Sequence, residues 1–206
     1  MKRILLTFTV LVAGLTFTAH DVNAQGNSRA TTRQDRIDQW HKDMAEFRAR
    51  SEQSHEMRQL ADSIAGVQAA AAVRNQDFVL EVQQVTFKNG MTTFVNTNTN
   101  FISVKGDRAV VQISPSNYAS GPNGLGGVTV DGMITNQQIK VDKRGGMTYS
   151  FNVMGVGINA QIDVYTTPGT NMATAVVYPN FNSNTIWLQG NLVPYDNSNV
   201  IEGSSL

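Results

Sequence analysis

The stretch MTYSFNVMGVGINAQIDVYTT, residues 147–167, alternates apolar and polar side chains on both sides of a glycine pair. Tyr149 and Phe151 belong to the apolar set before the glycines, and Ile162 and Val164 belong to the set after them. Strict alternation puts every second side chain on the same face of a strand, and glycine allows the positive φ that reverses the chain. The stretch therefore predicts a β-hairpin with one buried face.

The same alternation recurs from residue 78 almost to the end of the chain. It occupies residues 78–87, 101–105, 108–113, 128–130, 139–141, 173–178 and 186–193 besides the central hairpin. In the first of these segments the apolar residues change parity between Val82 and Val85, which predicts either a β-bulge or a strand that leaves the sheet. Short turns join most segments, so consecutive strands should pair antiparallel. We predict an eight- to nine-stranded antiparallel meander that closes as a barrel or as a two-layer sandwich.

Upstream of the strands, apolar residues follow one another at spacings of three and four, which predicts helix. One series is Ile37, Trp40, Met44 and Phe47, and a second is Met57, Leu60, Ile64, Val67 and Ala71. The two series lose their common phase across residues 51–54, which predicts a break or two helices. We expect the apolar stripe to pack against the dry face of the sheet. Pairing of two copies through the first series is an alternative. The fold class is mainly β (α+β), with one helix or two before the meander.

The amino terminus has the features of a secretory signal peptide. Lys2 and Arg3 precede an apolar run over residues 4–17, and Val22 and Ala24 are small residues at the positions that signal peptidase reads. The run is shorter than the roughly 20 residues of a bilayer span. We predict a signal peptide over residues 1–24, cleaved after Ala24, no transmembrane span after cleavage, and a periplasmic or secreted protein.

The remaining chain divides by composition into three parts. Residues 25–53 are predicted to form a polar and charged helical linker, residues 54–195 a single β domain with a leading helix, and residues 196–206 a flexible tail. The absence of cysteine excludes disulfides and thiol chemistry. Sixteen basic and sixteen acidic residues give a formal net charge of +0, so no long-range attraction favours nucleic acid.

Few residues have the chemistry of a catalytic or metal site. Only His41 and His55 remain after the predicted cleavage, and fourteen positions separate them along a helix, which is too far for one metal ion. The acids of the β region are Glu81, Asp107, Asp131, Asp142 and Asp163, and they lie at turns or on polar faces where charge is normally solvated. We predict no catalytic residue, no metal and no cofactor.

Aromatic side chains are the remaining candidates for a binding site. They are Tyr118 in a long irregular loop, Tyr149 and Phe151 on the dry face of the central hairpin, and Trp187 on a polar face. Ring faces bind sugars, peptides and apolar molecules. We therefore predict a non-catalytic module that binds a small apolar or amphipathic ligand inside the barrel or between sheet and helix. The alternative is a structural or protein-interaction module of the periplasm or outer membrane, with an envelope protein as partner.

The order of these segments resembles a family of uncharacterised secreted proteins of Gram-negative gut bacteria that is defined only as a domain of unknown function. The resemblance rests on FVLEV at residues 78–82, VKGDRAVVQI at residues 104–113, YSFNV at residues 149–153, and IWLQGNL at residues 186–192. This chain departs from it at SPSNYASGPN, residues 114–123. The resemblance implies export and this layout of strands, and it implies no activity or catalytic residue.

Overall fold

The structure, a computed structural model, describes residues 32–114, 127–155, 159–180 and 185–205. The predicted signal peptide, Tyr118 and the glycine turn of the central hairpin lie outside the described residues. By its contacts the chain divides into two units, residues 1–48 and residues 49–206. The sequence predicts the boundary between linker and β domain five residues later, between Gln53 and Ser54.

One helix, α1, runs from Arg33–Asn75. It begins at a capping box, in which the Thr32 backbone N–H donates to the Asp35 carboxylate at 2.9 Å and the Asp35 N–H donates to the Thr32 hydroxyl at 3.3 Å. The Thr32 hydroxyl also donates to the Asp35 carboxylate, and this hydrogen bond, with that from the Thr32 N–H, lowers the pKa of the Asp35 carboxyl. The predicted break across residues 51–54 is wrong, because α1 continues through it. A change in the phase of an apolar stripe does not require a change in the backbone.

Nine strands follow the helix. They are β1 (Asp77–Phe87), β2 (Thr92–Phe94), β3 (Phe101–Lys105), β4 (Arg108–Ile113), β5 (Val128–Val141), β6 (Met147–Gly155), β7 (Asn159–Thr166), β8 (Met172–Pro179) and β9 (Ile186–Pro194). All pairs are antiparallel, in the order β2-β1-β3-β4-β5-β6-β7-β8-β9, and β1 also pairs with β9. Eight strands therefore close into a barrel, and β2 adds to one edge of β1. The predicted meander is confirmed, and the barrel is the correct alternative.

Irregular pairing bends two of the strands. The register of β1 against β9 shifts between Val82 and Gln84, so the bulge predicted from the change of parity is confirmed. Strand β5 joins the two short segments predicted at residues 128–130 and 139–141 into one, with a shift between Thr135 and Gln138 and a positive φ of 52° at Asn136. Bulges of this kind increase local twist and coiling, which helps a sheet to close.

Side chains from all eight strands fill the barrel. The largest of them include Phe78, Leu80, Ile102, Tyr149, Phe151, Ile162, Leu188 and Leu192, which are 0–1 % exposed. From α1, Ala69, Ala72 and Val73 belong to the same core and cover the end of the barrel where β1 begins. The expectation that the large apolar stripe of α1 packs on the sheet is wrong, because small residues make this contact. Met57, Leu60, Ile64 and Val67 are exposed.

Close approach explains why small residues face the barrel. A Cβ atom on Gly66 would lie 2.8 Å from the Thr170 backbone nitrogen and 2.9 Å from the Gly169 carbonyl carbon. The helix backbone thus lies against the turn between β7 and β8, and a larger side chain at this position has no space. The spacing of large apolar residues therefore marks the face of α1 that does not contact the barrel.

We expect Gly66→Ala to destabilise the protein by about 1–3 kcal/mol, because the added methyl group meets backbone atoms that cannot rotate away. In a helix without this contact, replacing glycine by alanine should raise the free energy of unfolding by about 1 kcal/mol. A decrease therefore indicates that the contact exists. Urea unfolding gives the free energy of unfolding. The exposed neighbour Ser63→Ala is the matched control and should change it little. A stabilised Gly66→Ala variant would contradict the packing described.

The C-terminal segment lies on the outer surface of β1, β3 and β4. Val79, Phe101 and Val110 are buried on this outer face, and Val193, Tyr195 and Val200 pack against them. A 3-10 turn, η1 (Tyr195–Asn197), leads into the segment, which was predicted to be a flexible tail. Instead, the Ile201 N–H donates to the Asn98 carbonyl at 2.7 Å, and Ser198 donates to Glu81 at 2.7 Å.

The side chain of Gln112 joins this segment to the barrel. It is fully buried, and its Nε2 donates to the carbonyl oxygens of Thr99 at 2.9 Å and Ile201 at 2.8 Å. Its Oε1 accepts from the Thr129 hydroxyl at 2.8 Å and from the Gly203 N–H at 2.7 Å. Because a buried amide needs partners for each of its polar atoms, this side chain and the C-terminal segment depend on each other.

We expect Gln112→Ala to lower the free energy of unfolding by about 3 kcal/mol, because several buried donors and acceptors lose their partner at once. Limited proteolysis should then cleave the segment after residue 198 faster than in the wild type. Gln161→Ala is a matched control, since that exposed amide makes only contacts of 3.5 Å to Asp163. Equal stability of the two variants would show that the segment is not held through Gln112.

Candidate functional site

The predicted ligand-binding aromatics do not form one site. Tyr149 and Phe151 point into the barrel and are each 1 % exposed. Trp187 lies on the outer face of β9, 39 % exposed, beside Val176 of β8 and Thr86 of β1 in the pairing register. Tyr118 lies outside the described residues. The barrel wall therefore separates Trp187 from the two interior rings.

The interior rings pack against each other as core residues. Tyr149 and Phe151 are stacked with ring centroids 4.8 Å apart, and Phe78 meets Tyr149 edge-on at 5.9 Å. The Tyr149 hydroxyl donates to Gln137 Oε1 at 2.9 Å. Burial raises the pKa of Tyr149 to about 12. This tyrosine is therefore a neutral, hydrogen-bonded part of the core.

We expect the stability of the protein to fall as the pH rises from 10 to about 12, partly because of Tyr149. In the unfolded chain the phenol ionises near its ordinary pKa of about 10, whereas in the folded protein it stays neutral until the pH passes the raised value. The stabilisation is therefore present below pH 10 and lost above it. Urea unfolding at several pH values should show a shallower loss for Tyr149→Phe. Tyr178→Phe, at the surface, is the control, and identical pH slopes would contradict the assignment.

Among the described residues, the largest interior side chains of the barrel leave no free surface for a ligand. A side chain that lines a ligand cavity keeps one surface free of protein atoms, whereas the interior side chains of β1, β3, β6, β7 and β9 named above are almost completely covered. Eight-stranded barrels either are filled by their own side chains or hold one small ligand, and the covered side chains favour the first arrangement here. Residues that bind a partner must therefore be sought on the outer surface or on α1.

The acids of the β region make structural contacts. Asp131 accepts a hydrogen bond from Arg108 Nε at 2.7 Å and a second from Arg108 Nη2, so its pKa is lowered. Glu202 of the C-terminal segment lies 3.9 Å from the same guanidinium. Asp142 accepts the backbone N–H groups of Arg144 and Gly146 at 2.7 and 2.8 Å and so fixes the turn between β5 and β6.

The other acidic residues of the β region, Glu81, Asp107 and Asp163, are not arranged as a catalytic pair of carboxylates. Glu81 accepts from Ser198 on the outer face, Asp163 has only 3.5 Å contacts to Gln161, and Asp107 lies in the β3–β4 turn. His41 and His55 both lie on α1. Within the described ranges, no group of three or more histidine, aspartate or glutamate side chains could hold a metal ion.

A shallow depression of about 680 Å³ lies on the outer surface where β5 meets β6. The register partners Met133 and Met154 are exposed in it, and the Arg108–Asp131 ion pair borders it. The guanidinium and the carboxylate satisfy each other, and Asp107 and Asn159 are further polar residues of the lining. The depression is therefore a mixed apolar and polar surface.

One face of α1 in the second unit exposes four large apolar side chains. Met57, Leu60, Ile64 and Val67 are 62 %, 57 %, 52 % and 69 % exposed. Their spacing of three, four and three places them on one face, which we call the 57–67 face. Leu60 and Ala69 are nine residues apart, about two and a half helical turns, so Leu60 points away from the barrel contact. Val67, at the edge of the face, borders a depression that the β7–β8 turn also lines.

The 57–67 face also lacks charge. Between residues 57 and 73 the only charged residues are Arg58 and Asp62. Arg58 lies eleven residues, close to three turns, before Ala69, and Asp62 lies seven residues, about two turns, before it. Both therefore project from the barrel side of the helix. Sequence reasoning found this stripe but assigned it to the core. The run GVQAAAAV, residues 66–73, indicates in the sequence that small residues form the buried contact between the helix and the barrel.

The described helix is not a membrane span: across the described residues, no helix has the length and apolar content to cross a bilayer.

Comparison with known proteins identifies the family. A model described as a domain of unknown function, DUF4251, matches residues 62–192, which is more than half of the chain. The chain belongs to the DUF4251 family. The resemblance to a family without a known function is thereby confirmed. The DUF4251 match begins within α1 and continues into β9, so it includes Ile64 and Val67 but not Met57 or Leu60.

A solved structure supports the same assignment. The crystal structure of a DUF4251 family protein from Bacteroides eggerthii DSM 20697 is similar, with 48 % sequence identity and a TM-score of 0.61. The similarity covers 68 % of this chain and 95 % of that chain. A comparison with curated proteins gives no match. The DUF4251 assignment therefore establishes a family and a fold, and the family is uncharacterised.

Proposed function

We propose that this DUF4251 protein is an exported, non-catalytic interaction module that binds another protein through the 57–67 face. The observation that carries the proposal is this charge-free face, on which four large apolar side chains are more than half exposed. Protein interfaces have such composition at their centres, where charged residues are depleted. The barrel is the scaffold that holds the end of the helix.

Ligand binding inside the barrel is the less favoured function. The side chains that would have to line the ligand site, such as Tyr149, Phe151 and Leu188, are covered by one another. A small apolar ligand would have to displace them, and core side chains packed in this way resist such changes in volume. The geometry thus favours the protein-interaction module over the ligand-binding module.

The size of the 57–67 face indicates what kind of partner it needs. Full burial of one such side chain contributes about 1.5–3 kcal/mol, so covering the exposed half of four contributes about 4 kcal/mol. Association costs about 4–15 kcal/mol in lost freedom of motion. The partner must therefore present an apolar surface of at least similar extent.

A lipid surface fits this face less well than a protein does. Helices that lie on membranes carry lysine and arginine along the border of the apolar face, where they attract anionic lipid. Here the border residues Ala61, Ser63 and Gln68 are uncharged. The border of the face therefore offers no electrostatic attraction to the phosphate groups of lipids, which favours a protein over a membrane as the partner.

The proposed location is the bacterial envelope. Its support is the amino-terminal pattern of Lys2, Arg3, the apolar run and the cleavage site after Ala24. The intact mass of protein purified from its own cells tests it, since a mature chain that begins at Gln25 is expected. An uncleaved amino terminus in the cytoplasmic fraction would contradict export.

We expect a photo-reactive amino acid at Leu60 to cross-link to a protein partner in intact cells, because Leu60 is central to the 57–67 face. The matched control is the same amino acid at Gln59, which is also exposed but lies about 100° away around the helix. Adducts at Leu60 and few at Gln59, measured by immunoblot and mass spectrometry, support the proposal. Equal labelling at both positions, or none at either, would contradict it.

A further inference from the structure

We propose that the partner of the 57–67 face is a second copy of this chain, paired with the first through a parallel, in-register contact of two α1 helices. This inference rests on the proposed function, since it names the partner of the same surface. It is carried by the residue types on the face, by their spacing, by the uncharged border, and by the position of the barrel.

The spacing of the face is that of a coiled coil. Met57, Leu60, Ile64, Val67 and Ala71 follow at three, four, three and four residues, so they occupy successive a and d positions of the heptad repeat. Ile64 is β-branched at an a position, and Leu60 is leucine at a d position, which is the combination that favours two parallel strands. Val67 at the other d position does not add to this preference, so the choice of a pair rests on Leu60 and Ile64.

The residues beside the seam allow two identical copies to meet. In a parallel pair the e position of one helix faces the g position of the other. Ala61 and Gln68 occupy e positions and Ser63 occupies a g position, so identical copies bring no like charges together there. Arg58 and Asp62 occupy the outer b and f positions. The preceding d position is Gln53 and the following d position is Arg74, so polar and charged residues limit the seam to residues 57–71.

The barrel leaves this face open to a second copy. Gly66 lies against the β7–β8 turn, and Ala69 and Val73 enter the barrel core. Ile64 and Val73 are nine residues apart, about two and a half turns, so the middle of the seam points away from the barrel core. At the edge of the seam, Ser63 and Val67 border a depression with the β7–β8 turn, and Val67 stays 69 % exposed. Two helices can therefore pair while each barrel stays on the outside of the pair.

Sedimentation equilibrium of the full mature chain tests the proposal. We expect a dimer at about 10 μM, in the range where short helical interfaces associate. Ile64→Glu should weaken dimerisation by about tenfold or more, because it places a carboxylate in the apolar seam. Gln59→Glu adds the same charge outside the seam and should leave the dimer intact. Circular dichroism and thermal unfolding verify that both variants keep their helix and barrel.

The absence of cysteine makes the orientation testable as well. In a parallel in-register pair, residues at d positions face their own copies, so Leu60→Cys should oxidise rapidly to a disulfide-linked dimer. Gln59→Cys should remain mostly monomeric under the same oxidation. Equal oxidation of the two variants would overturn the parallel pairing.

The outcomes separate this inference from the proposed function. A monomeric wild-type chain at high concentration, together with Leu60 adducts to a different protein in cells, would overturn the second copy as partner and leave the interaction module standing. A monomer without any Leu60 adduct would overturn both. A dimer lost in Ile64→Glu and retained in Gln59→Glu supports the pairing.

Discussion

The pairing of β1 with β9 is the contact on which the rest of the structure depends. It brings together strands about a hundred residues apart in sequence, and it turns an open meander into a closed barrel. The contact requires a glycine, since a Cβ atom on Gly190 would lie 1.9 Å from the Glu81 carbonyl oxygen. The bulge after Val82 lies at the same place. Closure is therefore built from one bulge and one residue without a side chain.

Closure determines where a binding surface can be. Because eight strands enclose a volume that their own side chains fill, the dry face of the central hairpin has become solid core, with Tyr149 and Phe151 in it. Closure also satisfies the long edges of the sheet, so only short β2 extends beyond the barrel. The surfaces that remain are the outer faces, one of which the C-terminal segment covers, and the free face of α1.

Local features of this fold could be predicted from the sequence, and long-range ones could not. Alternation located the strands, and a change of parity located the bulge in β1, because both depend on neighbouring residues. Barrel and sandwich present the same alternation, so the choice between them depended on the β1–β9 contact. The order of the C-terminal segment was missed for the same reason, since Gln112 lies far from Ile201 in sequence.

The apolar spacing in the sequence located the 57–67 face, but the expectation that this face packs on the sheet was wrong. Large apolar residues at helical spacing are usually buried, so Leu60 and Ile64 were assigned to the core. These residues are exposed because small residues make the contact with the barrel instead. At Gly66 the helix backbone lies too close to the β7–β8 turn for a large side chain. Tyr149 and Phe151 are packed core residues, because alternation reports which face is dry and not whether space remains behind it.

The exposed helix face also has an energetic consequence for binding. Isolated helices are marginal in water, and those in proteins draw most of their stability from packing one face. Among the described residues of the second unit, α1 has that packing in its last turns, through Gly66, Ala69, Ala72 and Val73. These turns supply a helical nucleus, so further turns can extend from it without a new nucleation step. A partner that covers the 57–67 face then stabilises the helix that presents it, and helix order and binding are thermodynamically linked.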